Sequence, residues 1–570
     1  MKIKYLFFLL FILSFVSGNA QDIPLNVSYI RVYDFLDELA ADQIIEINST
    51  VKPYSRMFIA QKLVEANNSL KLNSRQKKEI DFFLNEFSQE LNTFPNNGYV
   101  KFWKNDKSIA TLFPPSIHYR DTLFRARILP VLSLKTMYNA NGLVIQRSIG
   151  AEFNAMIGKN ISIYGSLRDI SNWGDTLSSY HFLNNEPGYE YKEATYGGDF
   201  SDSRGGIKLS NSWGSIGLVK DNPVWGDSYY CSNILSGRAP SFPMITLHLK
   251  PVSWFELNYF HGWLISNVYD SLNYYMDNSG KKFYRPANKF MAANMFTFTP
   301  FRNFNFSFGN SIIYAESNIQ PAYFIPIAFY KSMDHLLTKG IGAENQNSQF
   351  FINFSSRNLK HTHFYGSVFV DELSFSRFLP DNPEHNPISS KLGIQLTNFP
   401  LANLSAVAEF TTTSMITYKH YPLLTYASNS YNLGHYLGDN SREWYFMLKY
   451  KPIRGLDIQL SYIDAVHGNE YQFIKRINNL NVMKQIISQD VMQDISWSSK
   501  SIGLNATYEV FNNTFCNFAL MYSDVNGYDI SSTAIPGELR LTAAEFLKRY
   551  TPASLYGKNI TVSAGINFGF

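Results

Sequence analysis

The sequence predicts an all-β transmembrane barrel of about 18 antiparallel strands with a small N-terminal periplasmic α-helical region. Three observations carry this. From about Arg127 onward, apolar and polar residues alternate with a period of two. The connections between those runs alternate between long and short. The chain opens on an export signal and closes on an alternating strand that ends in Phe570.

Met1–Ala20 reads as a cleaved secretory signal. Lys2 and Lys4 supply its basic start, Leu6–Val16 is too short to span a bilayer, and Ser17-Gly18-Asn19-Ala20 offers small residues before the cut. No Cys follows the cut, so a lipoprotein anchor is not expected. Loss of Lys2 and Lys4 lowers the formal charge from +4 to +2, which excludes a strongly basic nucleic-acid binder. No later run of about 20 apolar residues predicts a transmembrane helix. Aromatic residues make up 16% of the chain, including 37 Tyr and 46 Phe. A membrane barrel uses such residues as interfacial girdles, and its polar lumen face accommodates a mean hydropathy of −0.18. Two cysteines far apart, Cys231 and Cys516, allow at most one pairing and no disulfide framework.

Asn26–Leu91 has helical spacing. Tyr29, Val32, Phe35, Leu36 and Leu39 form one stripe. Pro53 opens a second run with Phe58, Ile59, Leu63 and Val64, and a third spans Ser74–Leu91 with Ile80, Phe83, Leu84, Phe87 and Leu91 on one face. A bundle this small is marginal alone, so it is expected to dock on the strand-forming remainder of the chain.

The strands come next. Ile145, Arg147, Ile149, Ala151 and Phe153 alternate with Gln146, Ser148, Gly150, Glu152 and Asn154. The runs beginning at Phe304, Leu456 and Ile502 alternate likewise, as does Lys558–Phe570. Short connections at 158–159, 211–213, 250–252, 300–303, 356–360, 399–403, 452–455 and 511–513 separate long ones at 170–202, 220–241, 267–288, 315–347, 371–389, 417–442, 465–496 and 525–557. Tight periplasmic turns and long outer loops give this parity in a barrel, and an even strand count puts both termini in the periplasm. The segment 99–125 fits either region. The predicted organisation is a signal over 1–20, a periplasmic helical region over 21–98, and over 99–570 an integral outer-membrane barrel contacting lipid.

Motifs for chemistry are sparse. His361 and His363 share one strand face, but no Cys or carboxylate at ligand spacing joins them. Asp524–Asp529 has the alternating oxygen groups and Gly of a calcium loop but lacks the distal Glu, and an Asp/Asn/Gly-rich turn explains it equally. Thr542-Ala543-Ala544-Glu545 is a capping box that starts a helix over 543–549, and 483–492 is a second helical patch in a loop. No nucleophile–base or paired-carboxylate set assembles from spacing, so neither a cofactor, a metal nor catalysis is expected. The long loops interleave aromatics with Asn, Asp, Arg and Lys. Rings that stack on sugar faces and planar polar groups that bond hydroxyls suit carbohydrate. The alternative is that the loops fold inward and pack on one another, Tyr acting as an amphipathic filler. The candidate polysaccharide-binding residues are Trp225, Tyr229, Tyr230 and Arg238, close together in one loop, with Trp173.

Tyr33–Ala40 with Lys52-Pro53-Tyr54-Ser55-Arg56, Asn222–Asp227 leading to Leu235–Pro243, Gly309–Glu316 and Asn432–Asn440 together resemble segments of the Wzi-type capsule-assembly proteins of the outer membrane. The resemblance spans nearly the whole mature chain. It implies an 18-stranded barrel with a periplasmic helical bundle and a non-enzymatic lectin role, holding capsular or another surface polysaccharide at the cell surface. Phe570 resembles the carboxy-terminal signal read by barrel-assembly machinery. A porin for small solutes is the competing function, and an outer-membrane hydrolase, which needs a nucleophile–base pair, a more distant one.

Overall fold

The computed structural model describes residues 22–95, 98–103, 107–174, 182–194, 197–315, 318–338, 346–530 and 535–569; the signal over 1–20 and Phe570 lie outside the described residues. Eighteen strands close one antiparallel barrel. The first nine are β1 Phe124–Asn139, β2 Gly142–Ile157, β3 Ile161–Trp173, β4 Gly197–Asn211, β5 Gly214–Asp221, β6 Phe242–Val252, β7 Phe255–Leu264, β8 Lys289–Phe301 and β9 Phe304–Tyr314. The rest are β10 Asn347–Ser356, β11 Thr362–Val370, β12 Ile388–Thr397, β13 Leu404–Thr413, β14 Ser441–Tyr450, β15 Leu456–Gly468, β16 Ile495–Phe511, β17 Thr514–Gly527 and β18 Gly557–Phe568.

Alternation sets the two faces. Ile149, Leu167, Leu218, Leu392 and Ile560 point out and are exposed, forming the lipid-facing band. Ser148, Asn154, Asn353, Thr413 and Glu443 point in and are buried. The short periplasmic turns keep the expected parity, but the one expected at 250–252 lies at 253–254, because β6 runs on to Val252 after a bulge. One outer connection departs from that parity: β1 and β2 are joined by Ala140 and Asn141 alone, with Asn139 at the end of β1. The segment 99–120 adds a three-stranded meander (Tyr99–Lys101, Ser108–Leu112, Pro115–Arg120) outside the ring. It pairs with the periplasmic end of β1 through Ile117↔Ile128, while β18 pairs with the outer half through Phe568↔Leu132.

Three helices, α1 Ile30–Ala41, α2 Arg56–Asn67 and α3 Ser74–Glu86, precede the meander and share one apolar core around Leu36, Leu63, Ile80 and Phe83. Asn73 and Gln76 form a capping box that starts α3. The bundle docks on the periplasmic rim through buried ion pairs. Arg31 bonds Glu79 (3.0 Å), Asp457 (3.2 Å) and Glu509; Lys451 bonds Glu38 (2.9 Å); Arg357 bonds Asp37 (2.9 Å); Arg127 bonds Glu86 (2.5 Å). The molecule is an outer-membrane β-barrel with a periplasmic N-terminal region. Among the described residues no helix is long and apolar enough to cross a membrane.

The outer loops carry α4 Tyr330–Thr338, α5 Val482–Ile487 and α6 Ala543–Tyr550. The capping box of Thr542 and Glu545 is formed at α6 as expected, whereas the patch predicted over 483–492 is helical only through Ile487. The stretch considered as a calcium loop continues as strand to Gly527, and Asp529 accepts the backbone N–H of Ala543 (2.7 Å). A Cβ at Gly527 would stand 2.0 Å from the Ala543 carbonyl, so α6 lies on this strand only because glycine is there.

Candidate functional site

The loop 222–241 does not rise from the barrel; it enters the lumen. Its apolar residues Trp225, Ile234, Leu235 and Ala239 join a core with the inward side chains Phe242, Phe260, Met291 and Phe351. Such burial leaves backbone groups to satisfy. Val224–Trp225 and Leu235–Ser236 pair with each other, and Val51–Lys52, arriving from the periplasmic side, completes a three-stranded sheet inside the barrel. The Gly226 N–H donates to the Thr50 carbonyl at 2.8 Å, and Ser49 bonds Asp227. Loop 414–440 closes over this sheet. The Tyr418 and Tyr426 hydroxyls donate to the carbonyls of Asn233 (2.6 Å) and Ile234 (3.1 Å).

The five candidate residues take different places. Trp225 is 3% exposed, with Phe260 and Phe351 edge-on to its ring. The Tyr229 hydroxyl donates to Gln395 Oε1 at 2.6 Å and lies 2.9 Å from His363 Nδ1. Tyr230 stacks on Tyr445 with centroids 4.5 Å apart. Trp225 is buried, and Tyr229 and Tyr230 are half-buried against these neighbours. Trp173 ends β3 on the outward face, under the Arg147 guanidinium (4.5 Å), away from the others. Arg238 lines an outer cavity. Of the two histidines, His361 reaches the bundle through Asp42 (2.8 Å) and His363 lies in the lumen wall on Ser355 (2.8 Å). Both cysteines are free; Cys231 is buried and Cys516 is exposed on the outward face.

That cavity has a volume of about 360 Å³, within the size of small-ligand sites. Six outer loops and the outer ends of β8 and β15 build it, with Arg238, Lys419, Asp439, Glu470 and Arg549 as its charged loop residues and Tyr418 and Tyr436 among its rings. Glu470 is shared by Lys419 (2.8 Å) and Arg549 (3.4 Å). Burial would raise its carboxyl, but Lys419, His467 and Arg549 outweigh this and hold it well below the usual range. Asp439 accepts backbone N–H bonds from Thr417 (3.1 Å), Tyr418 (2.7 Å) and Lys419 (3.1 Å). Burial nevertheless pushes it up to about 6, against the opposing pull of Lys419 and those N–H groups.

Arg238 differs from these. It is 6% exposed, donates Nη2 to the Phe182 carbonyl at 2.7 Å and lies over the Tyr431 ring at 5.0 Å. Its Nε has no hydrogen-bond partner, and among the described residues it makes no ion pair. Burial lowers its pKa from the ordinary arginine value. A second outer cavity, about 440 Å³, also carries charge, but its Arg377 is paired with Glu384 (3.3 Å) and Glu372 (3.6 Å). Lys419, Asp439, Glu470 and Arg549 come from three loops far apart in the chain; Asp439 lies in the family-like segment 432–440 and Arg549 ends the expected helix 543–549, but nothing in sequence brings the four together.

No family model matches the chain, and no curated protein matches it. Among solved structures it is similar to Wzi of Escherichia coli, an outer membrane protein involved in group 1 capsule assembly and a carbohydrate-binding β-barrel. The two share 12% identity at a TM-score of 0.54, over 97% of this chain and 100% of that one. The Pseudomonas aeruginosa barrels OccK8 (OprE) and OccK7 (OpdD) superimpose with TM-scores of 0.41 and 0.37 at 8% identity, over 78% of this chain and 97% and 98% of theirs. At 12% identity the likeness to Wzi is one of fold.

Proposed function

We propose that this protein is a lectin-like, non-enzymatic barrel that binds and anchors capsular or another acidic polysaccharide at the outer membrane. The observation that carries the reading is Arg238: a buried guanidinium with no ion pair among the described residues, felt by Glu186 only at longer range, at the wall of an outer cavity whose other loop cations already share one carboxylate. A buried cation left unpaired is costly, and a sugar carboxylate entering the cavity would relieve that cost through charge-assisted hydrogen bonds. The carboxylates at hand are committed to structure, Glu470 to two cations and Asp439 to three N–H groups, which supports binding over catalysis. The role of Wzi in capsule assembly and its carbohydrate binding support the same reading. In this reading Trp225, Tyr229 and Tyr230 hold the loop that presents Arg238, and Trp173 belongs to the interfacial girdle. The porin reading requires a free lumen, where the sheet of 51–52, 224–225 and 235–236 stands.

The test uses the full mature chain with alginate, a polyuronate, and dextran, a neutral glucan. Alginate should bind and dextran should not. Arg238→Ala should weaken alginate binding by about 10–150-fold, the worth of a hydrogen bond to a charged group, with barrel assembly unchanged. Equal binding of both glycans, or an unaltered Arg238→Ala protein, overturns the acidic-glycan reading. In cells, deleting the gene should move polysaccharide from the cell-bound to the released fraction. Porin-like single-channel conductance by the purified protein would favour the competing function.

A further inference from the structure

The loop 315–346 takes a path unlike that of its neighbours. Register puts Tyr259, His261, Asn294, Ala292, Asn310 and Ile312 on one face of β7–β9. The opposite face carries Phe260, Met291 and Ile313, which pack with Trp225 in the lumen. The first set therefore faces outward, where lipid is expected, yet every member is buried. What covers them is the segment 318–338. Its Tyr323 and Tyr330 join the outward core of Tyr259, Ala292, Ile312 and Tyr314, with Ile319, Ala328, Met333 and Leu337 packed against it.

The covering is matched in hydrogen bonds as well as in shape. Asn294 Nδ2 donates to the carbonyls of Pro326 (3.0 Å) and Ala328 (2.9 Å), Asn310 Nδ2 donates to Ala328 O (3.2 Å), and Asn310 Oδ1 accepts the Tyr330 N–H (2.9 Å). Asn294 lies five residues inside the outer end of β8 at Lys289, ~16 Å along the strand. Irregular backbone at membrane depth is tolerated only where its polar groups are satisfied by protein. Here two outward asparagines satisfy it, and Pro321 and Pro326 carry no N–H that would need a partner.

On the side away from the wall the segment turns out Ile325, Ile327 (69% exposed), Phe329 and Leu336. Below it β8 continues into Phe296 and Phe298 and β9 into Phe306 and Phe308, so the apolar surface of the segment is continuous with the lipid-facing band. We propose that residues 318–338 form a lipid-embedded strap, lying along the outside of β7–β9 with Ile325, Ile327 and Phe329 seated among the acyl chains of the outer leaflet. The strap broadens the hydrophobic footprint on this side of the barrel alone; its helical end turns Lys331, Asp334 and His335 to the second outer cavity, while the cavity of Arg238 has no residue from it. It stands independently of the glycan reading.

Spin labels at single cysteines test it. In a Cys516→Ser background, with Cys231 buried, a label is placed at Ile327→Cys, at Leu218→Cys on the lipid-facing wall, or at Tyr275→Cys in the exposed outer hairpin 269–286. The full mature chain is reconstituted in dimyristoylphosphatidylcholine vesicles, and collision with oxygen and with a neutral nickel chelate is measured. Ile327 should match Leu218, with oxygen favoured and nickel collision several-fold below that at Tyr275. A match to Tyr275 would place the strap in water. Low collision with both reagents would place it under protein, such as a second copy, and either result overturns the proposal. Should Ile327→Cys fail to show the heat-modifiable mobility of a folded barrel, Ile325→Cys reports on the same surface.

Discussion

At the periplasmic rim the helices meet the barrel through buried ion pairs; in the lumen the loops 222–241 and 414–440 meet through rings and through hydroxyls that donate to carbonyls. Arg31 joins Asp457 and Glu509 of the rim to Glu79 of α3, whereas Trp225, Tyr418 and Tyr426 fill the luminal layer by packing and by hydroxyl–carbonyl bonds. Charge fixes the orientation of a preformed bundle on a polar ring of turns. Aromatic packing lets an irregular loop fill a lumen of fixed width while its backbone stays bonded. Two closures built so differently should fail under different conditions.

The largest effect is expected from Trp225→Ala, which removes a buried ring from the luminal layer at a cost of about 3–5 kcal/mol. Amide exchange at Lys52 and Gly226 should accelerate by roughly two orders of magnitude or more, since 1.4 kcal/mol is about tenfold, while amides of α1–α3 keep their protection. Equal acceleration in the helices would mean that the two closures are one unit.

Acid should act the other way round. Burial would raise the Glu38 carboxyl, but Lys451 and Arg75 outweigh it and hold it at about 2 against an ordinary 4.5. A depressed carboxylate contributes stability that is full above 4.5 and lost as pH falls through 2, here about 3 kcal/mol. Burial pushes Asp37 and Asp42 upward, so they oppose part of this loss. Pepsin should therefore cut within 30–86 at pH 2 and not at pH 5, with 222–241 spared throughout. Cleavage of the loop before the helices would reverse the assignment of the two chemistries.

The smallest effect belongs to the cavity that rests on the luminal layer. The Asp439 carboxyl is raised from 3.8 to about 6, so the stability its protonated form contributes is full below 3.8 and lost as pH rises through 6. For an alginate whose own carboxylates stay ionised above about 3.5, the cavity becomes more positive between pH 7 and pH 5. Binding should tighten by about 1 kcal/mol, roughly fivefold, and Asp439→Asn should flatten that slope. A slope that persists in Asp439→Asn would assign it to another group.

Much of the wall was legible in advance, because lipid on one side and polar groups on the other impose a period of two that no soluble loop sustains. The turn at Ala140–Asn141 was not, since a tight outer turn breaks the rule of loop length without leaving the alternation. The meander over 99–120 alternates too, and only its pairing with half of β1 sets it apart from the ring. Arg238 could be singled out because it lies beside Trp225, Tyr229 and Tyr230 in sequence. Its partners at the cavity could not, because 419, 439, 470 and 549 meet only through the closure of the barrel. Likewise Asn294 and Asn310 read as ordinary polar residues in a strand until the strap is seen to cover them.

The sheet in the lumen has a consequence for the order of assembly. It joins residue 51 to residue 225 across the meander and five strands of the wall. The chain entropy of bringing such distant segments together must be met before their few hydrogen bonds return anything. Strand pairing around the wall shortens that search by holding the two segments within the same cylinder. The sheet is thus a late event, formed from opposite ends inside an enclosure that already exists, and an early barrel is open along the axis that the mature one has closed.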